Sequence, residues 1–418
     1  MLKPIFYIFA FVAAVFSAVG ADTSTRVFDP RFRTLKAEVE DNFMSLPVIR
    51  MGTNDRLTIK FDEIGEDNSY LEYRLVHCNA DWQPSRLLDS EFIEGFNSVK
   101  IEDFAFSSST FVHYVNYLIT LPNDDTHLLH SGNYLLQVYD PDDPERVLLQ
   151  CRFQVSENLV NTSGLITSRT DRGHNDIWQQ LSISTDWEGL GNINPFQDLS
   201  MYVTRNVEGA TRRSIKSPTR VSDSKSFYEH QPDLIFPASN EYRRFESISN
   251  TFAGMHVDSL RYIDTNYHVW LKPDLPRAGR QYDYDRTQHG RFIIREYNAT
   301  DSDIGADYIT VHFFLESPEL KDKEVYIDGE FSHDRYDRHN MMTYSSEKGG
   351  YILELPLKQG AYNYQYVARP RGSSQAPSAS ILEGDIYETD NEYSIEVYYT
   401  PPGARADRLV GFRTLSGI

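Results

Sequence analysis

The feature that most restricts the fold is a two-residue apolar period that recurs along the chain in short stretches. Leu57, Ile59 and Phe61 alternate with Thr58, Lys60 and Asp62, the pattern of a strand with one face in a core and the other in water. Comparable stretches follow at residues 70–78, 114–121, 133–139 and 147–155. Turn clusters separate them, among them Pro122-Asn123-Asp124-Asp125 and Asp140-Pro141-Asp142-Asp143-Pro144, where Pro and Asp favour chain reversal. Aromatic residues make up 13%, with 27 Tyr and 24 Phe, and ring side chains favour strands over helical bundles. The expected fold class is all-β, in the form of antiparallel sandwiches.

A chain of 418 residues holds two or three domains, each able to bury a core. Its start is an export signal: Lys3, an apolar run over residues 4–16, then Ser17, Ala18, Gly20 and Ala21, with cleavage after Gly20 or Ala21. About 13 apolar residues are too few to span a bilayer, so no direct membrane insertion is expected. The boundaries read as 1–20 signal peptide, 21–158 N-terminal sandwich, 159–300 middle β domain, 301–400 C-terminal sandwich and 401–418 tail. The middle domain takes strands near 179–185, 199–206, 261–272 and 291–297, with 212–230 as a long polar loop across its face. The last takes 308–315, 324–327, 351–357, 362–367 and 393–399, with a Ser, Gly and Pro-rich loop at 370–380.

The first cysteine is Cys78, which excludes a lipid anchor directly after the signal. In an oxidising compartment Cys78 and Cys151 admit either a disulfide or two buried thiols. Net charge is -20, which repels phosphate backbones and anionic lipid, so no nucleic-acid partner is expected. Nucleophile-elbow, zincin, Walker and dinucleotide motifs are absent from the sequence. His333, Asp334, Asp337 and His339 fit no common metal spacing and read as a solvated loop; Asp301, Asp303 and Asp307 read as a charged linker. The Trp82 and Trp187 segments read as core-capping rings at strand ends rather than as exposed anchors. No enzyme activity, cofactor or metal is expected.

Larger motifs carry a family resemblance. Tyr73-Arg74-Leu75-Val76-His77-Cys78-Asn79-Ala80-Asp81-Trp82-Gln83-Pro84-Ser85, Glu91-Phe92, Gly95-Phe96, Asn194-Pro195, Asn240-Glu241-Tyr242-Arg243-Arg244-Phe245, Ala306-Asp307-Tyr308 and Leu357-Lys358-Gln359-Gly360 resemble, in this order, the type IX secretion system plug family of Bacteroidota. The family's Thr-His-Tyr is replaced here by Val112-His113-Tyr114. The resemblance implies a periplasmic, non-enzymatic protein, one copy per channel, that closes an outer-membrane β-barrel translocon. It also marks Asp81, Trp82, Gln83, Pro84, Asn240, Glu241 and Arg243 as partner-binding or structural motifs. Residues 131–139 resemble the late strand of an immunoglobulin-like or fibronectin-like domain. Residues 325–331 and 360–366 resemble early-set sandwiches that bind glycans, which makes a glycan-binding surface protein the alternative. All four Trp, at positions 82, 178, 187 and 270, are expected to precede that last domain, leaving its platform to Tyr or Phe.

Overall fold

The computed structural model describes residues 22–40 and 42–417; the expected signal peptide lies outside them. Among the described residues, short antiparallel strands predominate and no helix is long and apolar enough to cross a membrane. Three sandwiches account for most of them, beside two short two-stranded ribbons.

In the N-terminal sandwich one sheet runs in the order Arg26–Val27, Asp143–Ser156, Gly132–Asp140, Glu72–Cys78 and Val99–Lys100, with Val48–Arg50 added parallel to Asp143–Ser156. The facing sheet runs Phe32–Val39, Leu57–Ile64, Tyr114–Leu121, Phe104–Phe106. Leu57, Ile59 and Phe61 are fully buried between the sheets with Tyr117, Leu136 and Phe153, as alternation requires. The opposite face of the Leu57–Ile64 strand departs from expectation. Asp62 is 0% exposed and Thr58 7%, because the C-terminal sandwich covers that face.

The middle sandwich pairs Asn161–Thr167, Trp178–Asp186, Lys225–Tyr228 and Arg220–Ser222, and faces a sheet ordered Arg213–Ile215, Leu199–Arg205, Glu392–Tyr399, Arg408–Ser416. Three expectations are corrected here. Residues 212–230 hold three short strands rather than one loop. Glu392–Tyr399 leaves the C-terminal unit to pair with Leu199–Arg205. The supposed tail forms Arg408–Ser416, paired along its length with Glu392–Tyr399, and Val410 joins Val203 and Leu181 in the core.

The C-terminal sandwich sets Arg243–Ser247, Gly360–Pro370, Phe292–Ile294 and Lys323–Asp328 against a five-stranded sheet. That sheet runs Val257–Ile263, Asn266–Leu271, Tyr308–Glu316, Gly350–Lys358, Thr343–Ser345. Residues 261–272 and 291–297, expected in the middle domain, therefore belong here. Trp270 does too, so the expectation that every Trp precedes this domain is wrong. Gly360 is required by close approach: a Cβ there would sit 2.2 Å from the Ile293 carbonyl oxygen.

Cys78 and Cys151 are free and buried. The Gly132–Asp140 strand lies between theirs, with Cys78 level with Asn133 and Cys151 with Leu136. An odd offset puts the thiols on opposite faces: Cys78 packs on Trp82 and Leu135, and Cys151 lies in the sandwich core. Of the two readings of this pair, the geometry is that of two buried thiols.

Candidate docking surface and the joints that hold it

Four of the family-like motifs, those at residues 73–85, 240–245, 306–308 and 357–360, fall at the joints between sandwiches. At the first joint, Trp82 is 7% exposed with a left-handed backbone, φ 65°, and its ring carries the Arg152 guanidinium at 4.3 Å. This compact turn presents Ala80, whose N–H donates to Asp407 (2.9 Å) and whose carbonyl accepts from Arg212 (2.7 Å) on the middle sandwich. Asp81 accepts from the Gln83 N–H at 3.0 Å; Asp81, Gln83 and Pro84 are exposed beside the joint. Nearby, Tyr398 donates to Asn133 at 2.7 Å, and Arg408 pairs with Glu157. Trp187 is a core residue of the middle sandwich, its indole N–H donating to Ser226.

Asn240, Glu241 and Arg243 sit inward between the middle and C-terminal sandwiches. The Asn240 amide donates to the Glu383 carbonyl at 2.8 Å, and Glu241 accepts from Tyr282 (2.7 Å) and the Asp390 N–H (2.9 Å). Arg243, 9% exposed at its side chain, bridges Asp274 (2.7 Å) and Glu383 (2.9 Å). Burial opposes ionisation of Asp274, yet His256, Arg243 and the Tyr364 hydroxyl hold its carboxyl down to about 2. Asn240 and Glu241 are buried where the chain passes between the two sandwiches, whereas Arg243 braces the C-terminal sandwich from within.

The third joint links the N- and C-terminal sandwiches. Lys358 donates to Asp62 (2.7 Å) and to the Asp303 carbonyl (2.6 Å), with its ammonium 4.0 Å from the Tyr114 ring centroid. Tyr308 also donates to Asp62, at 2.7 Å, and Tyr114 to the Ala306 carbonyl. The aspartates read as a linker are structural: Asp301 caps a short helix, Asp303 pairs with Lys60, and Asp307 accepts from the Phe111 and Val112 N–H groups at 2.8 and 3.0 Å. Two N–H donors on one buried carboxylate fix the loop that carries Phe111.

That loop builds the most conspicuous apolar surface. Strands Val257–Ile263 and Asn266–Leu271 form a hairpin whose two-residue turn, Asp264-Thr265, has Asp264 at φ 57°. Tyr262 and Ile263 lie at its tip, and Tyr267 just after it. The Phe111, Tyr262 and Tyr267 rings meet pairwise at 5.1 to 5.3 Å between centroids. Phe111 is nonetheless 53% exposed, Tyr262 49% and Ile263 38%. Phe104 and Phe106 add exposed rings along an edge strand of the same segment. Sequence reasoning missed this cluster, although an aromatic and Ile directly beside a two-residue turn is a signal that apolar groups stand at a hairpin tip.

In the loop from His333 to His339, Asp337 pairs with Arg335 and His339, and Asp334 accepts from the Gly209 N–H at 3.0 Å. Its charges are engaged locally or dock it on the middle sandwich. Among the described residues no group of three or more His, Cys, Asp or Glu converges on a point.

Residues 32–157 match the family model described as type 9 secretion system plug protein 1st domain. A crystal structure of a hypothetical protein from Parabacteroides merdae is 38% identical, covering 94% of this chain and 99% of that one with a TM-score of 0.92. An alkylpurine DNA glycosylase from Pseudomonas fluorescens, 10% identical over 30% of each chain with a TM-score of 0.18, is too remote to inform fold or function. No curated protein matches the chain. The matched first domain coincides with the N-terminal sandwich that the joints lock to the other two, and the chain belongs to the type 9 secretion system plug protein family.

Proposed function

We propose that this protein is a non-enzymatic periplasmic plug that binds and closes the outer-membrane β-barrel translocon of the type IX secretion system, one copy per channel. The observation that carries this reading is the combination of family membership with three sandwiches fixed by buried polar joints and an exposed aromatic cluster straddling one joint. A plug has to resist deformation by the solute gradient it blocks, and a pre-organised body loses little entropy on docking. Burying the exposed parts of Phe111, Tyr262 and Tyr267 removes about 250 Å² of apolar surface, roughly 6 kcal/mol gross at 25 cal/mol per Å². That is comparable to the lower range of association costs. The cluster would anchor an interface that needs a polar rim and can be released.

The glycan-binding alternative is weaker than its sequence resemblance. Trp270 lies on the outer face of the C-terminal sandwich, but one side of its ring stacks on His312, at 4.4 Å and 8° between planes, and Arg261 stands 5.6 Å from its centroid. An indole enclosed in this way offers no open face to a sugar.

Co-purification from detergent-solubilised outer membrane tests the proposal. Recovery with the barrel protein, lost on replacing Phe111 and Tyr262 by Ser while the melting temperature is unchanged, is the expected result. Recovery at the cell surface on polysaccharide, and never with a barrel protein, would overturn it.

A further inference from the structure

The outer face of the C-terminal sandwich carries a second arrangement, independent of the aromatic cluster and of the plug reading. Strands Asn266–Leu271 and Tyr308–Glu316 run parallel with Trp270 opposite His312. His268 and His312 therefore project from the same face, on a diagonal. His268 Nδ1 lies 2.8 Å from His312 Nε2. On the far side, Glu354 stands directly across from His312 in the antiparallel register, its Oε1 3.2 Å from His312 Nδ1.

These contacts favour one pair of tautomers. A carboxylate only accepts, so His312 Nδ1 carries the proton and Nε2 is left with its lone pair. His268 Nδ1 donates the proton that occupies the space between the rings. An imidazole with a carboxylate behind one nitrogen and a lone pair on the other is the orientation of a metal-ligating histidine. The stacked indole of Trp270 holds the His312 ring plane in place.

We propose that His268 and His312 form a two-imidazole site for a divalent transition-metal ion, with Glu354 as the positioning carboxylate behind His312. The ion takes the place of the proton between the rings, which His268 transfers through solvent from Nδ1 to its own Nε2, so that the ring stays neutral and its Nδ1 lone pair becomes a ligand. Two nitrogens at about 2.0 Å from one ion stand about 2.8 Å apart at the roughly 90° angle of tetragonal Cu2+ and about 3.3 Å apart in a tetrahedron, so the rings must reorient but separate by no more than about half an ångström. Neutral imidazoles favour Cu2+ over Zn2+ and disfavour Mg2+ and Ca2+. With two protein ligands the remaining positions stay open to water, and Arg261 and Lys348 oppose the charge of the ion. Binding is therefore expected to be modest and selective for copper.

The test is titration of the purified, chelator-treated chain with Cu2+, followed by electron paramagnetic resonance and calorimetry. One equivalent should bind with a spectrum showing two nitrogen ligands, a readout that needs no variant. His268→Gln and His312→Gln should each weaken binding at least about tenfold, and Glu354→Gln by about tenfold or more. Zn2+ should bind more weakly, and His339→Gln should change nothing. A spectrum with one nitrogen or none, no binding at about 0.1 mM Cu2+, or affinity unchanged in both imidazole variants would overturn the proposal.

Discussion

Replacing Lys358 with Met isolates the joint on which the rigid-body account depends. The Lys358 and Asp62 side chains are 1% and 0% exposed, with Nζ 2.7 Å from Oδ2. The substitution keeps the apolar stem and removes the ammonium, taking with it the bond to the Asp303 carbonyl and the contact with Tyr114. Breaking a buried pair from one side costs about 3 to 5 kcal/mol, because the remaining charge is left without a counterion. Asp62 would keep donors from Tyr308 (2.7 Å) and Asn116 (2.8 Å). It can also take up a proton, so the lower end, about 3 kcal/mol, is expected. The double variant Asp62→Asn with Lys358→Met removes both charges and should recover at least half of the loss. A double-mutant cycle in urea reads the coupling directly, with hydrogen exchange at Tyr308 and Val115 to locate the opening, since a three-domain chain need not unfold in one step. A loss below about 1 kcal/mol in the single variant, or a coupling near zero, would refute the claim that this pair locks the two sandwiches.

Three further outcomes follow from the same structure. Trp82→Ala should cost about 3 to 5 kcal/mol in thermal or urea unfolding, as for other buried Trp truncations, and unchanged stability with lost partner binding would show the ring to be an interface anchor. His77 is buried, bonded to Ser85 and to the Ser131 carbonyl, and burial pushes its imidazole down to about 4 from 6.5. The folded value lies below the unfolded one, so this contribution is full above about pH 6.5 and is lost as pH falls towards 4, by about 1.4 kcal/mol per unit; His77→Gln should flatten a stability profile measured over that range. Burial pushes both thiols up to about 12, so a thiol reagent should titrate two groups in the unreduced chain only after denaturation, and a disulfide seen by mass would contradict the geometry.

Five strands of the N-terminal sandwich were legible from their apolar, ring-rich runs between turn clusters, but Phe32–Val39 and the short edge strands were not; the packing of Trp82 followed from its place between a strand end and a turn. What escaped was set by pairing distant in sequence. Arg408–Ser416 alternates poorly, with Val410 and Gly411 both buried, and only its partner Glu392–Tyr399 reveals it as a strand. Asp62 read as solvent-facing because nothing local says that a third sandwich covers it. The same holds for Asp307, whose role appears only once the Phe111 loop folds onto it. The motifs that suggested the family were legible as a set, whereas their position at joints was not.

Permeability tests the proposed closure of a channel most directly. A strain lacking the protein, with the translocon confirmed in its outer membrane, should take up a large antibiotic that the parent excludes. Secretion should remain largely intact, since a plug supplies no driving force for transport. Equal uptake in the two strains would contradict the claim.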